Sequence, residues 1–114
     1  MLPRLVTALG LSALTMGAAL ADPIEGNWKT RDGDTAAIGG CGGGFCITLK
    51  SGEYAGRRIG KMNASGGGNY EGEITKPSNG KTYSGKAKLS GNSLKLSGCV
   101  FGGLICESQT WTRL

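Results

Sequence analysis

Residues 79–100 read NGKTYSGKAKLSGNSLKLSGCV, and their alternation decides the fold. Ala87 and Leu89 alternate with Lys86 and Lys88. Beyond Gly91-Asn92 the pattern resumes, with Leu94 and Leu96 against Lys95 and Ser97. A period of two with one apolar side marks strands half-buried against a core. Gly91-Asn92 tolerates the positive φ of a two-residue hairpin turn, so Thr82–Leu89 and Ser93–Phe101 are predicted to pair antiparallel. The turn sets the register, placing Lys88 directly opposite Lys95 with Lys86 nearby.

The same reading extends in both directions. Phe45, Ile47 and Leu49 share a side against Cys46, Thr48 and Lys50, and Ile24 and Trp28 oppose Glu25 and Lys29. Further strands are predicted at Ile24–Arg31, Asp34–Cys41, Phe45–Ser51, Arg57–Asn63, Asn69–Lys76 and Leu104–Arg113. The turns between them carry Asp32-Gly33, Gly42-Gly43-Gly44, Gly66-Gly67-Gly68, Asn79-Gly80 and Gly102-Gly103. Twenty of the 22 glycines follow residue 21, too many for long helices and well suited to turns and barrel corners. The expected fold is all-β, an antiparallel up-and-down barrel of about eight strands whose closure removes exposed edges. Tyr-x-Gly recurs at Tyr54, Tyr70 and Tyr83, as an aromatic beside a glycine kink in a curved sheet. ASGGGN at 64–69 reads as a flexible loop.

The first 21 residues differ in kind. One charge, Arg4, precedes a largely apolar run, and Ala19-Leu20-Ala21 forms a small-x-small cleavage site. This reads as a secretory signal cleaved after Ala21 and not as a membrane span, leaving a single domain over 22–114 in the periplasm or outside the cell. There is no twin arginine, and Asp22 instead of cysteine at the new terminus argues against a lipid anchor. From Asp22 onward, 12 basic residues face 8 acidic ones, a net charge of +4.

The cysteines follow from the compartment. Small exported domains supplement a marginal core with disulfides, and four cysteines form an even set. Zinc would want closer pairs, histidine is wholly absent, and neither pair has C-x-x-C spacing. A Gly43-Gly44 turn would put Cys41 directly opposite Cys46, and a Gly102-Gly103 turn would put Cys99 opposite Cys106. Such distances suit disulfides, so Cys41–Cys46 and Cys99–Cys106 are preferred over the other two pairings as outward-facing staples. Loops this short contribute roughly 2–2.5 kcal/mol each on the chain-entropy account.

Two motifs resemble those of lipocalin-like (calycin-like) barrels: Gly26-Asn27-Trp28 in the first strand and Thr110–Leu114, TWTRL, in the last. The resemblance implies Trp28 at the closed end of the barrel, with Arg113 packed across it in cation–π contact. A closer resemblance, over nearly all of 22–114, is to the domain of unknown function 2147 family of small exported bacterial proteins. DPIEGNW, CGGGFC, NGKTYSGKAKL, LKLSGCV and SQTWTRL carry it in order. The family's segment between the second and third of these is longer, so this chain is shortened around Ser51–Asn69. The resemblance implies fold and export and brings no activity with it.

Without histidine, Ser-His-Asp triads, Cys-His dyads and His-ligated zinc are excluded. Glu71 and Glu73 share a strand face and read as solvated, and Asp32-Gly33-Asp34 reads as a turn without calcium. No metal, cofactor or catalytic residue is expected. With Cys99 facing out, Ile105, Glu107, Gln109, Trp111 and Arg113 face in. Buried polar groups need partners. Glu107 and Gln109 therefore either anchor a ligand in an apolar-walled pocket or join an internal network with Arg113 or a tyrosine hydroxyl, unless a bulge turns them out.

The expectation is a non-enzymatic binding module for a small apolar or amphipathic ligand or an envelope component, with Trp28, Tyr70, Tyr83, Glu107, Gln109 and Trp111 as its contacts. The alternative is a structural or protein-interaction domain with a filled core, acting on an anionic envelope surface through Lys86, Lys88 and Lys95. An exported hydrolase comes third. Nucleic acid is not expected, since no basic stripe is interleaved with exposed aromatics.

Overall fold

The computed structural model describes residues 22–114, so the predicted signal segment lies outside the described residues. Eight antiparallel strands follow one another around a closed barrel: β1 (Gly26–Lys29), β2 (Thr35–Cys41), β3 (Gly44–Leu49), β4 (Arg58–Gly66), β5 (Asn69–Lys76), β6 (Lys81–Ser90), β7 (Ser93–Val100) and β8 (Ile105–Arg113). Each strand pairs with its chain neighbour, and β8 returns to β1. The expected all-β, up-and-down barrel is the fold, and the stretch around Ser51–Asn69 supplies β4. The stretch read as a loop at 64–69 is mostly strand, tightened to a turn at Gly67-Gly68 between Gly66 and its partner Asn69.

The Gly91-Asn92 hairpin has the predicted register, with Lys88 opposite Lys95 and Leu89 opposite Leu94. The β7–β8 hairpin also pairs Cys99 with Cys106 directly, at 4.1 Å between Cα atoms. The β2–β3 hairpin differs. Its turn is Gly42-Gly43, so Cys41 faces Gly44, and Cys46 faces Gly39. The Cys41–Cys46 disulfide therefore runs diagonally, with Cα atoms 5.8 Å apart. Strand twist brings one diagonal of an antiparallel pair closer than the flat-sheet spacing, and that diagonal is the one bridged.

One end of the barrel is plugged. Ile24 and Glu25, predicted to begin the first strand, instead form a turn before it. Pro23 has no amide hydrogen, and the Asp22 carboxylate accepts the Ile24 amide at 3.0 Å, the local bond that bends the chain here. Ile24 then inserts into the barrel base, where its carbonyl accepts the Trp28 indole N–H at 3.0 Å. Arg113 closes the plug from the other terminus. Its guanidinium lies 4.3 Å from the Trp28 ring centroid and donates to the carbonyls of Glu25 and Pro23. The cation–π contact implied by the lipocalin resemblance is thus present, with Trp28 fully buried.

A row of glycines crosses the inner wall. Gly72 pairs with Gly85, and Gly85 with Gly98, flanked by Met62 on one side and Glu107 on the other. A Cβ on Gly72 would fall on the Lys61 carbonyl oxygen, and one on Gly85 would meet Ile74 Cγ1 at 2.8 Å. Two of the three Tyr-x-Gly motifs supply this row, so the predicted kink has a packing cause. On the plugged side of the row, Trp28, Ala36, Ile38, Met62, Tyr70, Ala87 and Leu94 pack solidly. On the other side the interior widens.

Ring closure is uneven. β8 pairs with β7 along its whole length, from Ile105 to Thr112, but meets β1 only at Arg113↔Trp28 and Thr112↔Lys29. Beyond Lys29 the chain turns away into Thr30–Asp34. The β1-facing side of Ile105–Thr110 is left without a strand partner among the described residues.

Candidate functional site: the open half of the barrel

The end opposite the plug holds a cavity of about 470 Å³. Its floor is apolar. Ile47, Leu49, Ile59, Leu96 and Trp111 are inward positions of β3, β4, β7 and β8, and all are buried. All but Ile59 face inward through the period-two alternation, and Ile59 is the extra residue of the β-bulge opposite Ile47 and Thr48. The glycine row leaves space above them that longer side chains would occupy. The volume lies within the 300–1,000 Å³ typical of small-molecule sites.

Polar groups stand on the walls. Glu107 and Gln109 are inward positions of β8, as the Cys99–Cys106 register requires. Gln109 Oε1 accepts the Trp111 indole N–H at 2.7 Å, which fixes the carboxamide and leaves its NH₂ group as a donor. Glu107 is exposed at the level where the cavity meets solvent. Neither expected internal network forms: Arg113 serves the plug, and no tyrosine hydroxyl reaches Glu107. No bulge turns β8 either, since its pairing with β7 is regular throughout. Tyr83, on β6, completes the wall.

The six residues assigned to the site therefore divide. Tyr83, Glu107, Gln109 and Trp111 converge on the cavity. Trp28 and Tyr70 do not line it, and belong to the packed half. The Tyr70 hydroxyl donates to Asp22 Oδ1 at 2.7 Å, and its ring meets Phe45 edge-on at 5.9 Å. Burial chiefly, with the Asp22 carboxylate adding to it, pushes the Tyr70 phenol up to about 12.

The mouth consists of residues that strand alternation did not single out. Thr30–Asp34, Glu53 and Tyr54, and Pro77 and Ser78 come from loops at this end, with Lys76 at the end of β5 beside them. Tyr54 is partly buried, with the Arg57 guanidinium 5.7 Å from its ring centroid. The Tyr54-x-Gly56 motif signalled an aromatic at a bend, but not that the bend folds over a cavity. Asp34 also lies against Gly52, joining two mouth loops.

The outer face is more mixed than a basic patch. Lys88 and Lys95 stand opposite one another, while Lys86 faces Glu71, and Lys61 faces Glu73. Near the mouth, the β7–β8 tip exposes Phe101, Leu104 and Ile105. No helix among the described residues is long and apolar enough to cross a membrane.

Residues 48–113 match the family model described as "Uncharacterized protein conserved in bacteria (DUF2147)". The match takes in β4 to β8 and most of the cavity, but not the Gly26-Asn27-Trp28 or CGGGFC motifs. No curated protein and no solved structure matches the chain.

Proposed function

We propose, from the premise that the chain belongs to the bacterial family DUF2147, that it is an exported, non-enzymatic binding protein whose open barrel half takes one small apolar or amphipathic molecule. The cavity carries this reading: an apolar floor that includes Trp111 and Leu96, with a fixed amide donor at Gln109 and a carboxylate at Glu107. A few placed polar groups over an apolar floor are the usual composition of a small-ligand site. Such a cavity favours the ligand reading over an interaction domain with a filled core. The non-enzymatic part rests on the chain's lack of histidine.

Export is supported by the composition of residues 1–21 and by two disulfides, which persist in oxidising compartments. Cleavage after Ala21 is supported by the plug itself. The Asp22 nitrogen lies 2.9 Å from Glu25 Oε2, so the freed ammonium would start out already paired with a carboxylate.

The reading is tested by native mass spectrometry of protein purified from the periplasm without added ligand. The expected result is a small-molecule adduct that leaves on denaturation. Gly98→Val should weaken it while the fold persists. A Cβ at Gly98 meets Tyr83 at 3.7 Å, an ordinary contact, and the added methyls narrow the cavity. A bare mass across growth conditions would refute the proposal.

A further inference from the structure

The charge of the cavity runs against the charge of the protein. Over 22–114 basic residues outnumber acidic ones, 12 to 8. Around the cavity the order reverses: Asp32, Asp34, Glu53 and Glu107 line it, against Arg31 and Lys76 alone. Half of the acids in this stretch therefore gather at one opening. Of the other cations, Arg57 stands at the rim against Tyr54, and the rest lie elsewhere, on outer strand positions such as Lys61, Lys86, Lys88 and Lys95, in loops, or at the plug. A concave site with low-dielectric walls focuses the field of the charges around it, so the opening attracts cations although the molecule as a whole repels them.

The aromatic content points the same way. Tyr54, Tyr83 and Trp111 are three of the seven aromatic side chains, and all contribute to the cavity lining. Aromatic faces attract cations, as the exposed Arg57 over the Tyr54 ring illustrates, which leaves Tyr83 and Trp111 as the rings for a ligand. An inorganic cation would not use the floor of Ile47, Leu49, Ile59 and Leu96. A fatty acid would bring its carboxylate to a ring of carboxylates.

We infer that the site selects an organic cation with an apolar body, an alkylamine or quaternary ammonium amphiphile. Its hydrocarbon part lies on the floor, and its positive end sits at the level of Glu107 and Glu53. This rests on the ligand-binding reading and names the ligand class for the same site.

The test uses three probes of one chain length, decyltrimethylammonium, decanoate and decanol, each below its aggregation concentration. They are titrated into the exported protein and followed by calorimetry and by amide shifts at cavity residues. The expected order is the ammonium first, ahead of decanoate by about tenfold, the combined weight of a partly desolvated charge contact and a cation–π contact. That margin should shrink with added salt. Glu107→Gln, an exposed change that leaves the floor intact, should remove most of it. Glu71→Gln, on the outer face, should leave it unchanged. Equal binding of all three probes, or decanoate binding tighter, would overturn the inference and leave the binding site standing. An equal effect from both variants would overturn it too, by tracing the preference to net charge. Failure of every probe to move the cavity resonances would overturn the inference together with the reading beneath it.

Discussion

At the scale of single residues, the plugged end depends on a few side chains with two tasks each. Asp22 bends the chain through the Ile24 amide and also receives the Tyr70 hydroxyl. The Tyr70 phenol is raised to about 12 from its ordinary 10.0 in the folded protein. In the unfolded chain it ionises about two pH units earlier, so its contribution to stability is whole below pH 10 and lost between pH 10 and about 12. Urea unfolding across that range should show a fall that Tyr70→Phe lacks, measured as a difference so that lysine titration cancels. At neutral pH the same variant should cost about 1–2 kcal/mol, because the partly buried Asp22 carboxylate loses a donor. An identical pH profile in both proteins would contradict the assignment.

At the scale of elements, the glycine row separates the two halves and gives a sharp contrast. Gly72→Ala forces a methyl onto the Lys61 carbonyl, and should cost about 3 kcal/mol or more, or prevent folding. Gly98→Ala has room at 3.7 Å from Tyr83, and should change the thermal midpoint by only a few degrees. Similar losses in the two variants would refute the packing account of the row. Strand alternation found eight strands, with Asn69–Lys76 as predicted to the residue, because period two and hairpin glycines are local signals. It also put Tyr83, Glu107, Gln109 and Trp111 on the inner wall. Depth along the barrel was beyond it. Whether an inward residue lies in the plug or in the cavity depends on the stagger of all the strands together, which no single strand encodes. Trp28 and Tyr70 were grouped with the others for that reason. The mouth acids were not placed at the site for a related one: Asp32 and Asp34 read as turn residues until separate loops converge, and convergence is tertiary. The Cys41–Cys46 pair was found with its register two positions off, because three successive glycines allow more than one turn.

At the scale of the whole molecule, the two disulfides tie opposite ends of the barrel, Cys41–Cys46 near the plug and Cys99–Cys106 at the mouth. Each closes a short loop, so replacing either pair by serine should lower stability by about 2 kcal/mol in a reversible urea titration. Neither spans the join between the first strand and the last. That join, held at Trp28–Arg113 and Lys29–Thr112, makes the ring a hinged sleeve fastened at one end. Protection against hydrogen exchange should follow that shape. Alternate amides of Ile105–Thr110, those turned toward the missing neighbour, should exchange within the dead time, while amides of β5 and β6 persist until global unfolding. A molecule too bulky for the mouth would then not need the barrel to unfold. It could enter sideways, past an edge that is already parted, at a rate set by loop motion instead of by the breaking of a sheet.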